Sequence, residues 1–270
     1  MKIAFLGGGN MANAFLGGLL ARGFAATDLS VIEPIAAARG KLAATYQVHV
    51  SAAPDGATRG ADTVVLAVKP QDMKVALAPL APLVAGKLLI SIAAGVRIAT
   101  LSRWLDGHRR IVRCMPNTPA LIGAGITGLF APEEVSADER ARAAQVLGAV
   151  GECVWVAEER LLDPVTAVSG SGPAYVFWLM EQMARSGEAM GLPPEEARQL
   201  ALHTVLGAAK LAAGSVETPA LLRERVTSKG GTTEAALKVF EAEELARRFA
   251  RALEAASSRG AELGDLLDKS

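Results

Sequence analysis

The chain has 270 residues, enough for two modest domains, and 51% of them are apolar, so a full core needs neither disulfide nor metal staples. Aromatics make up only 4%, which leaves Ala, Leu, Val and Ile to build that core and favours helices and parallel strands over a β-sandwich. The 28 basic and 28 acidic residues cancel, which argues against nucleic acid or a membrane surface as partner while leaving room for a local basic pocket.

The N-terminal Met1-Lys2 leads at once into Ile3-Ala4-Phe5-Leu6 and then glycines, too short an apolar run for a secretion signal. No stretch reaches the length of a membrane span, and a cytoplasmic protein is expected. Residues 2–6, 29–33, 48–50, 63–68, 88–92 and 111–115 read as short apolar strands. Helical composition fills 13–22, 35–44 and 73–83 between them. Nearly continuous apolar strands separated by helices imply a parallel sheet covered on both faces. Two more runs, 126–130 and 153–156, flank a helical stretch at 137–150 and are expected to extend the sheet.

Beyond about residue 160 the strand signal fades. Helices are predicted near 174–190, 195–213, 219–226, 234–240 and 245–263, with Gly191-Leu192-Pro193-Pro194 separating the first two. The expected fold class is an α/β Rossmann-like domain with a largely parallel sheet over 1–160, followed by an all-α domain over 161–270. These helices are long and rich in Ala and Leu. A domain of this size cannot bury so much apolar surface alone, so a homodimer through the helical part is expected.

Cys114 and Cys153 read as reduced, structural thiols. His49, His108 and His203 stand isolated, with no spacing that suggests a metal site. The turn Gly7-Gly8-Gly9-Asn10-Met11-Ala12 is more informative: it fits G-x-G-x-x-A between an apolar strand and a helix. Gly7 allows the tight turn, Gly9 the close approach of a pyrophosphate and Ala12 the helix–strand packing. The following helix start, with Asn10 and Met11, offers N–H groups to phosphates. NAD or NADP is therefore the expected cofactor, in reduced form as hydride donor. Glu33, closing the second strand, suits the ribose hydroxyls of NAD, with Arg39 nearby to soften that preference. Val68-Lys69-Pro70 and Ala93-Ala94-Gly95 end further strands and should border the nicotinamide, with the small residues leaving room for a flat ring.

Three other segments are rich in small polar and turn residues: Met115-Pro116-Asn117-Thr118-Pro119, Ser169-Gly170-Ser171-Gly172-Pro173-Ala174-Tyr175 and Val226–Glu234. Asn117 in the first is a further candidate cofactor contact. Ser228 to Thr233 places hydroxyls and backbone N–H groups at a helix start, where a carboxylate binds without an arginine.

Over essentially its full length the sequence resembles the pyrroline-5-carboxylate reductase family. The stretches that carry the likeness are FLGGGNMA (5–12), AVKPQ (67–71), SIAAGV (91–96), RCMPNTP (113–119), SGSGPAYVF (169–177) and TSKGGTT (227–233). The resemblance implies a helical dimerisation domain, dimers that often build a ring-shaped decamer, and reduction of the imino acid (S)-1-pyrroline-5-carboxylate to L-proline with NAD(P)H, the last step of proline biosynthesis. It also implies that Ser228, Gly230, Gly231, Thr232 and Thr233 hold the substrate carboxylate. Two departures stand out: Lys229 occupies a position where members often have proline, and Glu33-Pro34 stands where many carry arginine for the NADP phosphate.

A protonated imine accepts hydride readily, so the protein's main task is positioning. No His or carboxylate stands out as general acid. Thr233 and Ser228 are the hydroxyls available to hydrogen-bond the imine nitrogen, with ordered water as the alternative. Two rival readings differ in specific residues. A hydroxy-acid reductase would carry Lys and Asn on the helix after Gly172, where this chain has Ala174-Tyr175-Val176-Phe177-Trp178-Leu179. A non-catalytic dinucleotide sensor would keep the glycines but need no second polar loop.

Overall fold

The computed structural model describes residues 1–269. Eight strands form one sheet among the described residues: β1 (Ile3–Leu6), β2 (Leu29–Ile32), β3 (His49–Ser51), β4 (Thr63–Leu66), β5 (Leu88–Ser91), β6 (Ile111–Met115), β7 (Gly125–Phe130) and β8 (Gly151–Trp155). The helices up to Ser171 are α1 (Asn10–Ala21), α2 (Ala36–Tyr46), α3 (Gly56–Arg59), α4 (Pro70–Leu77), α5 (Ile98–Trp104), α6 (Ala137–Leu147) and α7 (Leu162–Val165). Those that follow are α8 (Gly172–Ala189), α9 (Pro194–Ala213), α10 (Pro219–Arg225), α11 (Thr232–Ala242) and α12 (Leu245–Asp268).

The strand order is β3-β2-β1-β4-β5-β6-β7-β8. Chain direction is parallel from β3 to β6; β7 pairs antiparallel with β6, and β8 runs parallel to β7. All eight predicted strands are present, and the sheet is mixed only at its last two. Alternation along each strand sorts side chains between two cores. Ile3 and Phe5 join Phe15, Leu16 and Leu19 of α1 on one face. Ala4 and Leu6 join Met73 and Leu77 of α4 and Leu101 of α5 on the other. Two buried faces explain why the strands read as continuous apolar runs.

Helix starts follow local chemistry. Ser136 and Glu139 form a capping box at α6, and Asp55 with Thr58 does the same for α3. Pro70 opens α4, Pro194 opens α9 and Pro219 opens α10, each where the missing N–H costs nothing.

Packing divides the chain into two compact units, Met1–Ser171 with Ala255–Ser270, and Gly172–Glu254. The composition shift near 160 marks the last strand, whereas this division falls at 171 and, on the return, inside α12. In the second unit α8 packs against α9 over small residues, Ala184 and Gly187 on one helix and Ala197 and Ala201 on the other.

Candidate active site

The order of strands reverses between β1 and β4, which places the first turn after β1 at the switch point of the sheet, where dinucleotides bind in doubly wound folds. Leu6, Leu66 and Ser91 stand in register across β1, β4 and β5. The turns at 7–9, 67–70 and 92–95 therefore leave the same sheet edge, and three of the predicted cofactor segments come together.

Gly7 has φ +98°, and a Cβ there would stand 2.8 Å from the Ala67 carbonyl oxygen, so both conformation and space demand glycine. At Gly9 a Cβ would meet nothing within 4 Å. Glycine at that position answers to no neighbour in the chain and leaves open a cradle for a group approaching from outside. Gly9 is the N-cap of α1, and no side chain satisfies the first N–H groups of that helix. Asn10 is exposed and Met11 half-buried there, while Ala12 is fully buried against the sheet. These features fit a diphosphate at the helix start.

Asn13, which lies outside the glycine motif, orients the turn. Its Nδ2 donates to the carbonyls of Gly8 at 2.8 Å and Gly9 at 2.9 Å, drawing both oxygens to the helix side. Glu33 is 8% exposed, and its two oxygens accept from the backbone N–H groups of Gly8 at 3.1 Å and Ile35 at 2.9 Å. A carboxylate offers roughly four lone-pair sites, so capacity for ribose hydroxyls is left over. Arg39 Nη1 donates to the carbonyls of Glu33 and Pro34, both at 2.8 Å.

Strand β4 ends at Leu66, two residues before the predicted boundary, so Val68 belongs to the turn and exposed Lys69 is the N-cap of α4, with Pro70 at its first position. Ala93 is buried, Ala94 exposed, and Gly95 turns the chain at φ +75°. Asn117 is almost wholly buried, and both ends of its amide are engaged: Oδ1 accepts from Ile126 N at 3.0 Å and Nδ2 donates to Ser169 O at 3.3 Å. Two of the three polar segments thus meet, with Gly170 packed closely against Met115. Residues 166–170 form a short π-helix, a feature that the glycines and serines of this stretch did not announce.

The third segment lies in the second unit. Gly230 adopts φ +75°, and its N–H donates to Glu234 Oε2 at 2.8 Å. Gly231 is the N-cap of α11 with no side-chain cap, so the helix opens with the N–H groups and hydroxyls of Thr232 and Thr233. Ser228 and Lys229 are exposed; the Ser228 carbonyl accepts from Gly231 N at 3.0 Å. Among the described residues no group of His, Cys, Asp and Glu could hold a metal ion, and no helix is long and apolar enough to cross a membrane.

Known proteins resemble this chain in sequence and in fold. Residues 159–263 match the family model for pyrroline-5-carboxylate reductase dimerisation, and residues 2–95 match the model for NADP oxidoreductase, coenzyme F420-dependent. The chain is 49% identical to the pyrroline-5-carboxylate reductase of Pseudomonas aeruginosa, covering 98% of each. A solved pyrroline-5-carboxylate reductase from Coxiella burnetii superposes with a TM-score of 0.92 at 40% identity, covering 97% of this chain and 98% of that one. The pyrroline carboxylate reductase of Plasmodium falciparum, solved with NADP bound, gives 0.85 at 27% identity and 98% coverage of both. The chain belongs to the pyrroline-5-carboxylate reductase family, as NAD(P)-dependent oxidoreductases acting on a CH–NH bond.

Proposed function

We propose that this protein reduces (S)-1-pyrroline-5-carboxylate to L-proline with NAD(P)H, the final step of proline biosynthesis. The observation that carries this reading is a pair of uncapped helix N-termini, one opening on Gly9 and one on Gly231. Each suits an anion, and the reaction brings two: the diphosphate of the dinucleotide and the carboxylate of the imino acid.

Gly7, Gly9, Asn10, Met11 and Ala12 hold the diphosphate, and Glu33 accepts from the ribose. Val68, Lys69, Pro70, Ala93, Ala94 and Gly95 border the nicotinamide, with Asn117 acting from behind as a brace. Ser228, Gly230, Gly231, Thr232 and Thr233 hold the substrate carboxylate, with Lys229 adding positive charge at the loop's exposed tip. When bound, the reduced nicotinamide supplies the hydride. The imine nitrogen needs a proton or a hydrogen-bond donor, and Thr233 or Ser228 meets that need without a titratable acid. The buried Glu33 favours NADH as an accepted donor beside NADPH.

The second unit is the surface for a second copy of the chain. Phe177 and Trp178 of α8 are 64% and 59% exposed, and an apolar groove of about 910 Å³ is lined by Tyr175, Leu179, Phe240, Leu245 and Phe249 among others. A homodimer, with a decamer built from such dimers as the further assembly, covers this face; the cytoplasm is its location.

The test is loss of NADH or NADPH absorbance with pyrroline-5-carboxylate, for the wild type, Gly9→Ala and Thr233→Ala. Gly9→Ala is expected to raise the cofactor KM about tenfold or more while leaving stability within about 0.5 kcal/mol, since its methyl meets no protein atom. Thr233→Ala is expected to raise the substrate KM and spare the cofactor KM. A wild-type enzyme inert towards this imine would end the proposal.

A further inference from the structure

The last turn of α12 contradicts helix electrostatics. Asp265 and Asp268 sit at the negative end of the macrodipole, where a cation stabilises and an anion does not, and no basic residue occupies that turn. Such a local conflict points to a job done elsewhere.

Both carboxylates are held by Arg97. Its Nη2 donates to Asp265 Oδ1 at 2.7 Å, and its Nη1 donates to Asp268 Oδ2. Thr100 Oγ1 donates to the other oxygen of Asp268, and Arg103 Nη2 reaches the Asp268 carbonyl at 2.8 Å. Gly264 permits this approach: a Cβ there would lie 3.1 Å from the Gly95 carbonyl oxygen and 3.2 Å from Arg97 Nε. Leu267 packs on the core beneath the sheet.

The next residue is gripped from another side. Ile98 N–H donates to Glu159 Oε1 at 2.8 Å, and that same oxygen accepts from Arg113 Nη1 at 3.1 Å, with the Arg113 side chain 6% exposed. Residues 93–98 are thus fixed at Gly95, Arg97 and Ile98 by partners far away in the chain. Stability alone is a weak account of the Arg97 pairs, because the Asp265 side chain is 62% exposed and such pairs contribute little. Their geometry is specific, however: one planar fork spans two carboxylates.

We infer that Arg97 is a positioning residue, clasped by Asp265 and Asp268 so that the Ala93–Val96 turn is held in one place for the nicotinamide. This rests on the proposed role of 93–95 as the cofactor border. The clasp touches neither cofactor nor substrate; it acts through the turn, and misplacement of a reacting ring by about 1 Å is enough to cost on the order of a hundredfold in rate.

The experiment compares Arg97→Ala, Asp265→Asn/Asp268→Asn, the triple variant, Arg97→Lys and Ala94→Leu. Kinetic constants for both cofactors are measured well below each variant's Tm, together with hydrogen–deuterium exchange of the 93–98 amides in the cofactor-free protein. Arg97→Ala is expected to lower kcat/KM for the cofactor about ten- to a hundredfold and to speed exchange at 93–98. The triple variant should be no worse than Arg97→Ala, because the groups act as one unit. Arg97→Lys should recover only part, since an ammonium cannot fork both carboxylates. Unchanged constants and exchange in Arg97→Ala overturn the inference, as do losses that add fully in the triple variant. Ala94→Leu separates the two failures. If it leaves the cofactor KM unchanged, the border reading falls and takes the clasp with it. If it raises that KM while Arg97→Ala is silent, only the clasp falls.

Discussion

The two units of this chain bury opposite kinds of residue. In the first, Phe5, Phe15, Leu16 and Leu19 are wholly enclosed between helices and sheet. In the second, the buried residues are Ala184, Gly187, Ala197 and Ala201, while Phe177, Trp178, Leu206, Phe240 and Phe249 are exposed. Small residues fill the contact between α8 and α9, and the large apolar side chains stand on the faces that this contact leaves exposed. The first unit completes its own core. The second leaves its large apolar side chains uncovered, on the face proposed above for another copy of the chain.

The sharpest way to break this contrast is to damage each side in turn. Phe15→Ala removes a fully buried ring and should lower unfolding free energy by about 3–5 kcal/mol in denaturant titration. Trp178→Glu should instead weaken self-association by about 2 kcal/mol or more, read as a shift to monomer in light scattering, with the denaturation of the first unit scarcely altered. If Trp178→Glu leaves the assembly intact, the exposed face needs another occupant.

A smaller effect sharpens the picture of the first unit. Ser136→Ala removes the cap of α6 and should cost about 1 kcal/mol. Burial alone would raise the Glu139 carboxyl pKa, but the Ser136 N–H and hydroxyl and the Arg110 guanidinium outweigh it and hold it below its ordinary value. Its contribution is therefore complete above that ordinary value and lost as the pH falls through the folded one. Glu139→Gln should flatten the acid limb of the stability profile; an unchanged limb would refute the assignment. Smallest of all is Asp163, whose carboxyl is pushed upward chiefly by burial, against the pull of Arg113. Its folded form favours the proton, so its contribution fades as the pH rises through the folded value. Asp163→Asn should gain slightly in Tm at neutral pH and gain nothing in acid.

Much of the fold was legible because apolar runs and helical composition alternate plainly. What escaped was short or relational. Helices α3, α5 and α7 have four to seven residues each, too few for periodicity to show. The reversed direction of β7 depends on pairing with β6, which no local pattern records. Helix α1 starts at Asn10 rather than 13, because the motif's last glycine is itself the cap. At the site, the glycine turn and the Thr232-Thr233 helix start could be read from adjacent residues. Asn13 could have been noticed as a polar amide in the first turn of the motif helix. The clasp on Arg97 could not: its partner Asp265 lies 168 positions away.

The hydrogen bonds of Glu33 have a practical consequence for anyone wishing to retune this enzyme's redox currency. The acid proposed above to meet the adenosine ribose also ties down Gly8 and the entry to α2 through Ile35. Exchanging it for a neutral or basic side chain to welcome a 2′-phosphate takes the acceptor away from the Gly8 amide and loosens that turn at the same stroke. Coenzyme engineering here is a two-site redesign, in which a new acceptor for the Gly8 amide must be installed before the charge is changed.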